Sequence, residues 1–147
     1  MNILAKKKIV LLGMMSRIPV AGAVWGTMQY LLGFQRLGYD VYYVEAHART
    51  PTMLMEHDHD NSALLAAQFI DRMMCRFDMG DKWAFHALHD DGRCYGMSEN
   101  RLQVLYRSAA LIINYHGSTV PLPEHSATGR LIYLETDPVE YFQVRFG

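Results

Sequence analysis

The sequence predicts a Rossmann-like α/β fold: three layers, α/β/α, built around a parallel sheet of about five strands in the order 3-2-1-4-5, joined by right-handed crossovers. Three observations predict it. An aliphatic run, KKIVLLG, lies close to the amino terminus and ends in glycine; a stretch of helical periodicity follows; then DVYYVE, β-branched and aromatic, comes directly after. A strand, a crossover helix and a second strand in that succession form a β-α-β unit, whose two strands are parallel.

Each element can be justified in turn. The unbroken apolar run from Lys7 to Gly13 is the pattern of a strand covered on both faces, which makes it the central one. The lysines before it and VAGA after it have the outline of a secretion signal. The run from Ile9 to Met15 is short, however, and Arg17 and Pro19 interrupt it, so the strand reading is preferred. Val24, Trp25, Met28, Leu31, Leu32 and Leu37 then recur at helical intervals, with Gly38 placed to end the helix. Asp40 to Glu45 is the second strand, and a polar segment from Ala46 to Asn61 leads to Ser62, which can cap a helix running to about Phe77.

Trp83 to Leu88 is a third strand, weakened by Ala84 and Ala87, and HDDGRCYG after it reads as a turn. Ser98 can cap a third helix through Leu102, Leu105 and Tyr106, ahead of a fourth strand from Ala110 to Gly117. STVPLPEHSATG is a loop, and a fifth strand from Arg130 stops at Asp137-Pro138 because proline cannot continue a central ladder. With no internal repeat or interdomain linker, residues 1–147 are expected to form a single domain.

Composition narrows the function. Half of the 147 residues are apolar, enough to bury a core without disulfide staples. The 14 basic and 15 acidic residues nearly cancel and are scattered, which argues against nucleic acid or an anionic lipid surface as partner. No stretch is long enough for membrane insertion. Cys75 and Cys94 form no CxxC pair, so a reducing, cytoplasmic setting is the simpler expectation. The ten methionines are expected to fill core gaps rather than bind copper.

In such a fold the ligand crevice lies beyond the carboxyl ends of the strands, where strand order reverses between strands one and four. The first of those end loops, GMMSRIPVAGAVWG, carries Gly13 and Gly22 as candidate substrate-binding glycines and Arg17 as its one charge for an acidic ligand. It lacks both GxGxxG and GxxxxGK[ST], so neither a dinucleotide nor a nucleoside triphosphate is signalled. After the fourth strand, His116 is positioned for general acid or base work, and Ser118 is a glycine-adjacent serine without a nucleophile elbow. Glu135 and Thr136 at the end of strand five are candidates for binding hydroxyls. Asp137 is a second candidate catalytic residue and equally a turn cap before Pro138.

MEHDHDN, Met55 to Asn61, is the motif that most suggests a metal. Imidazole and carboxylate suit zinc or manganese, and carboxylates with an amide suit calcium. His57 and His59 can share one face of an extended loop, and His89 and Asp90 on a neighbouring strand end could complete a divalent-ion site. The spacing fits neither HExxH nor an EF-hand. The competing reading is a solvated helix approach in which Asp60, Asn61 and Ser62 cap the next helix. Cys94 with His89 is a weaker candidate nucleophile pair.

Taken together, KKIVLLGMMSRIPVAGAVWGTMQYLLGFQRLGYDVYYVE and LIYLETDPVE resemble the amino-terminal half of bacterial glycosyltransferases of the GT-B fold. The resemblance implies that this half faces the glycosyl acceptor, and that a sugar nucleotide lies in the crevice between it and a second Rossmann-like half. Carried over residue by residue, it places Gly13 and the loop to Gly22 on one side, with Glu135 to Asp137 opposite. Most nucleotide contacts in that fold come from the carboxyl-terminal half, so these residues alone are expected to bind acceptor or sugar nucleotide without transferring sugar efficiently. Two other readings stand beside this one. The first is a small metal-dependent hydrolase of esters or lactones, with an ion in the EHDHD loop activating water. The second is a non-catalytic interaction module that pairs as a homodimer or with a separate half.

Overall fold

The computed structural model describes residues 4–136, which form a three-layer α/β/α domain around a mixed six-stranded sheet. Strand β1 (Lys8–Leu12) lies between β2 (Asp40–Glu45) and β5 (Leu111–Tyr115) and runs parallel to both. Outside β2 lies β3 (Trp83–His86), and outside β5 lies β6 (Leu131–Leu134), each parallel to its neighbour. The expected order of five strands is therefore present as β3-β2-β1-β5-β6. The sheet is not purely parallel, however, because β4 (Cys94–Tyr95) pairs antiparallel with β3 at the edge. Two paired residues are too few for any periodicity to betray a strand, and glycines with positive φ stand on both sides of it, Gly92 in the turn that leads in and Gly96 directly after.

Alternation along the strands separates two cores. Ile9, Leu11, Tyr43, Phe85 and Ile113 face helices α1 (Ala21–Arg36) and α2 (Ser62–Cys75), while Val10, Leu12, Val44, Ala84 and Ile112 face α3 (Glu99–Ser108). Strand β1 is buried on both sides, as its unbroken aliphatic run requires. Met15, Met28, Met74, Met79 and Met97 fill gaps in these cores.

Helix α1 ends by a Schellman motif. Gly38, at φ +92°, donates its N–H to the Gln35 carbonyl, Tyr39 donates to that of Phe34, and the Phe34 and Tyr39 rings close over the turn. Not every periodic position is core. Leu37 is exposed at the C-cap, and the half-exposed Trp25 packs edge-on against Phe77. The fifth strand is shorter at both ends than expected, and Asp137 and Pro138 lie outside the described residues. The proline-containing loop contains a single helical turn, α4 (Pro123–Ser126). Among the described residues, no helix is long and apolar enough to cross a membrane.

Two positions make this fold testable. A Cβ on Gly13 would lie 2.5 Å from Cε2 of the fully buried Tyr43, so Gly13→Ala is expected to destabilise the domain by about 1–3 kcal/mol in urea unfolding, as overpacking does. His125 is fully buried against the Tyr106 ring and accepts the Leu122 N–H at Nδ1, 3.1 Å away. Burial holds its imidazole below the ordinary 6.5; Glu124 opposes this and His86 adds to it. A histidine depressed in the folded state lends stability that is complete above its unfolded value and is lost as pH falls through its folded value. His125→Gln, which keeps an acceptor for Leu122, should therefore show a smaller loss of urea midpoint than the parent between about pH 7.5 and 5.

Candidate functional site

Strand order reverses at β1, where one connection leads to β2 and the other neighbour is β5. At the carboxyl ends of β1 and β5 lies an open crevice of about 510 Å³. Met14, Arg17 and Ile18 from the β1–α1 loop form one wall, and Arg49, from the segment after β2, adds a second guanidinium. His116, Gly117 and Glu135 form the opposite wall. A small apolar notch of about 50 Å³, lined in part by Met15, Thr27 and Tyr115, opens under α1 and shares Met14, Ile18, Ala23 and His116 with the crevice.

The His116 wall is highly constrained. His116 and Gly117 both have positive φ, +56° and +59°, a conformation uncommon for residues other than glycine, though histidine takes it more readily than most. Here the His116 N–H donates to the Leu134 carbonyl at 2.9 Å, so the backbone stays tied to β6 while the ring turns into the crevice. Nδ1 lies 3.0 Å from Glu135 Oε1, and Nε2 lies 2.8 Å from Thr136 Oγ1. An ionised carboxylate only accepts, so it places the proton on Nδ1 and leaves the Nε2 lone pair facing the threonine hydroxyl. Tyr133 fixes the other carboxylate oxygen through its hydroxyl, 2.6 Å away. The result is an oriented imidazole able to take a proton from a hydroxyl.

Beneath the arginine wall lies a cluster that sequence reasoning missed. Glu45, the last residue of β2, is fully buried. Its Oε1 accepts the Ser16 N–H at 2.8 Å and the Tyr43 hydroxyl at 2.6 Å; its Oε2 is bonded by the Ser16 hydroxyl and lies 3.0 Å from His47 Nε2. Tyr43 in turn accepts the Met15 N–H at 2.9 Å, and burial next to Glu45 pushes its phenol well above the ordinary range. Four partners match the lone-pair capacity of a carboxylate, the condition for burying one at tolerable cost. In dinucleotide-binding folds an acid at the end of β2 reaches a ribose. Here the whole carboxylate is taken up inside the protein. Glu45 also lies between Ser16 and His47, and Ser16 is fully buried, so the trio lacks the serine-histidine contact of a hydrolytic triad.

The remaining sequence-predicted residues are more dispersed. Gly13 is buried under the Tyr43 ring, whereas Gly22 is exposed in the first turn of α1. Buried Ser118 donates to the Leu12 carbonyl at 2.8 Å and to Asn114 Oδ1, so it holds the chain after β5 in place. Arg17, His116, Glu135 and Thr136 do converge on the crevice region. Arg49 joins them without a local signal, since a lone arginine in a polar segment shows no periodicity.

The metal candidates are arranged as a helix approach. Asp60 Oδ2 accepts the N–H groups of Glu56 and His57, bonds that hold its carboxyl below the usual range, and Asn61 caps α2 by accepting the Leu64 N–H. The His57 and His59 rings lie 5.3 Å apart and exposed, His89 Nε2 is 2.9 Å from Ser62 Oγ, and Asp90 is exposed in the β3–β4 turn. Among the described residues, no three His, Cys, Asp or Glu side chains are grouped so as to hold a metal ion. Burial and Glu99 push the Cys94 thiol up to about 11, away from thiolate reactivity.

Compared with family models, curated proteins and solved structures, the chain matches none. The class that its topology defines is a small α/β domain of generic Rossmann-like arrangement.

The loop assignment predicts a clear asymmetry between two variants. Asn61→Ala should cost about 1 kcal/mol in thermal or urea unfolding through loss of the cap, while the His57→Ala/His59→Ala double variant should change stability by no more than about 0.5 kcal/mol. Stoichiometric zinc or manganese in the purified protein, absent from the double variant, would instead make the loop a metal site.

Proposed function

We propose that the chain is the acceptor-side half of a GT-B-type sugar transferase, and that its crevice receives a hydroxylated, phosphate-bearing ligand. The single observation that carries this reading is the division of the crevice at the β1–β5 switch, with two guanidinium groups on one side and an imidazole-carboxylate pair on the other. Arginine is suited to phosphate oxygens through charge-assisted, often bidentate, hydrogen bonds. Imidazole held by a carboxylate is suited to take the proton of an attacking acceptor hydroxyl, the chemistry a sugar transfer requires. In this role Thr136 Oγ1 occupies the position from which an acceptor hydroxyl would address His116 Nε2. The resemblance in KKIVLLG, GYDVYYVE and LIYLETDP points to the same class. In that class catalysis needs a second, facing half, so the activity to be sought in these residues alone is binding.

Isothermal titration calorimetry with uridine, guanosine and thymidine diphosphates tests this directly. At least one is expected to bind, with Arg17→Ala and Arg49→Ala each weakening it about tenfold or more, as loss of a charge-assisted bond does. His116→Ala should leave that affinity within about threefold while lowering transfer activity of any assembly that contains the second half. No binding of any of the three would overturn the reading of the crevice as a site for a phosphate-bearing ligand.

A further inference from the structure

We infer that Glu45 is the positioning residue of the crevice: one buried carboxylate holds both arginine-bearing segments in register, so that Arg17 and Arg49 address the same anionic group. This rests on the anionic-ligand reading above and says how that site is assembled.

The two arginines come from different connections. Arg17 directly follows Ser16, whose N–H and hydroxyl are both bonded to Glu45. Arg49 follows two residues after His47, whose Nε2 lies 3.0 Å from the same carboxylate. Met15, next to Ser16, is tied through its N–H to Tyr43, which itself donates to Glu45. Every one of these contacts is buried, with Ser16, Tyr43 and Glu45 fully shielded and His47 nearly so, whereas Arg17 and Arg49 reach the crevice. The segments that carry the two arginines are therefore anchored to one carboxylate without help from a ligand. A site built this way has its arginine-bearing backbone ordered in advance, which lowers the ordering cost on binding.

The geometry distinguishes Glu45 from an ordinary core residue, because its neutral isostere can keep the frame. In Glu45→Gln the amide oxygen can accept from Ser16 N–H and Tyr43, and the amide nitrogen can donate to Ser16 Oγ and to His47 in the tautomer bearing its proton on Nδ1, which keeps the geometry at the cost of a Ser16 hydroxyl proton and a buried His47 Nδ1–H without acceptors. Glu45→Ala removes all four contacts. The test uses the full chain, inorganic pyrophosphate as the probe of the arginine pair, and amide hydrogen exchange at Met15 and Ser16.

Glu45→Ala is expected to weaken pyrophosphate binding by about tenfold or more and to speed exchange at both amides by a similar factor, while Glu45→Gln stays within about threefold of the parent in both. In a double-mutant cycle, Arg17→Ala should cost little further in the Glu45→Ala background, because the guanidinium is no longer held on target. A folded Glu45→Ala protein with parental affinity, Glu45→Gln as weak as Glu45→Ala, or full additivity in the cycle would each overturn the inference. If Glu45→Ala does not fold, Ser16→Ala takes its place in the cycle, and additivity there overturns the inference in the same way. Absence of pyrophosphate and nucleotide binding in the parent itself would remove the anionic-ligand reading, and with it the role of Glu45 in a site. Protected Met15 and Ser16 amides, released by Glu45→Ala and kept by Glu45→Gln, would then identify a loop anchor alone.

Discussion

The buried carboxylate of Glu45 is the constraint on which the crevice end of the domain depends. A charge removed from water must be met by enough donors to replace its hydration, and the chain meets this one from three directions: Tyr43 on its own strand, Ser16 from the β1–α1 loop and His47 from the segment beyond β2. Because those donors sit on different connections, satisfying the carboxylate also fixes where the connections run. The Tyr43 ring occupies the space a side chain at position 13 would need, so the glycine at the end of β1 is required by packing in this network. Loop and strand are thereby locked together at one point.

From that point the two walls of the crevice take opposite characters for physical reasons. On the β1–β2 side the buried layer has used up the acid, and the charges left to line the opening are Arg17 and Arg49. On the β5–β6 side His116 and Gly117 turn the chain through the left-handed region, which directs the imidazole toward Glu135 and Thr136. Conformational strain at a non-glycine residue persists where several contacts over-determine it, and here a ladder hydrogen bond, a carboxylate and a hydroxyl all do so. Asn114 and Ser118 stabilise the return of the chain by bonding one another, the Thr119 backbone and the Leu12 carbonyl.

In the MEHDHDN loop, backbone hydrogen bonding takes up part of the polar side chains. A helix begins with N–H groups that have no partner within it, and Asn61 satisfies one of them. Asp60 does similar service for the turn before it through Oδ2, while its Oδ1 lies 3.9 Å from His57 Nδ1. His89, which sequence alone would bring to the same cluster, instead pairs with Ser62. Each of these bonds is short-range or joins adjacent strand and helix ends, and together they engage Asp60, Asn61 and His89, while the side chains of His57 and His59 stay exposed.

By itself the sequence determined the β-α-β succession, the central position of KKIVLLG, the end of α1 at Gly38 and the location of a crevice at the β1–β5 switch. The elements follow from patterns spanning two to four residues, and the central strand and the crevice follow from the strand order that those elements imply. Arg17, His116 and Glu135 were legible for the same reason, since each lies just past the end of a strand whose place in the sheet was already set. Only the tertiary structure decided that Glu45 would be buried, that Arg49 would meet Arg17, that β4 would add an antiparallel edge, and that Gly13 and Ser118 would turn inward to packing and backbone hydrogen bonding. Glu45 finds Ser16 across 29 residues of sequence and Ser118 finds Leu12 across 106. Contacts at that separation leave no periodic trace, because they exist only once the sheet has brought distant strand ends side by side.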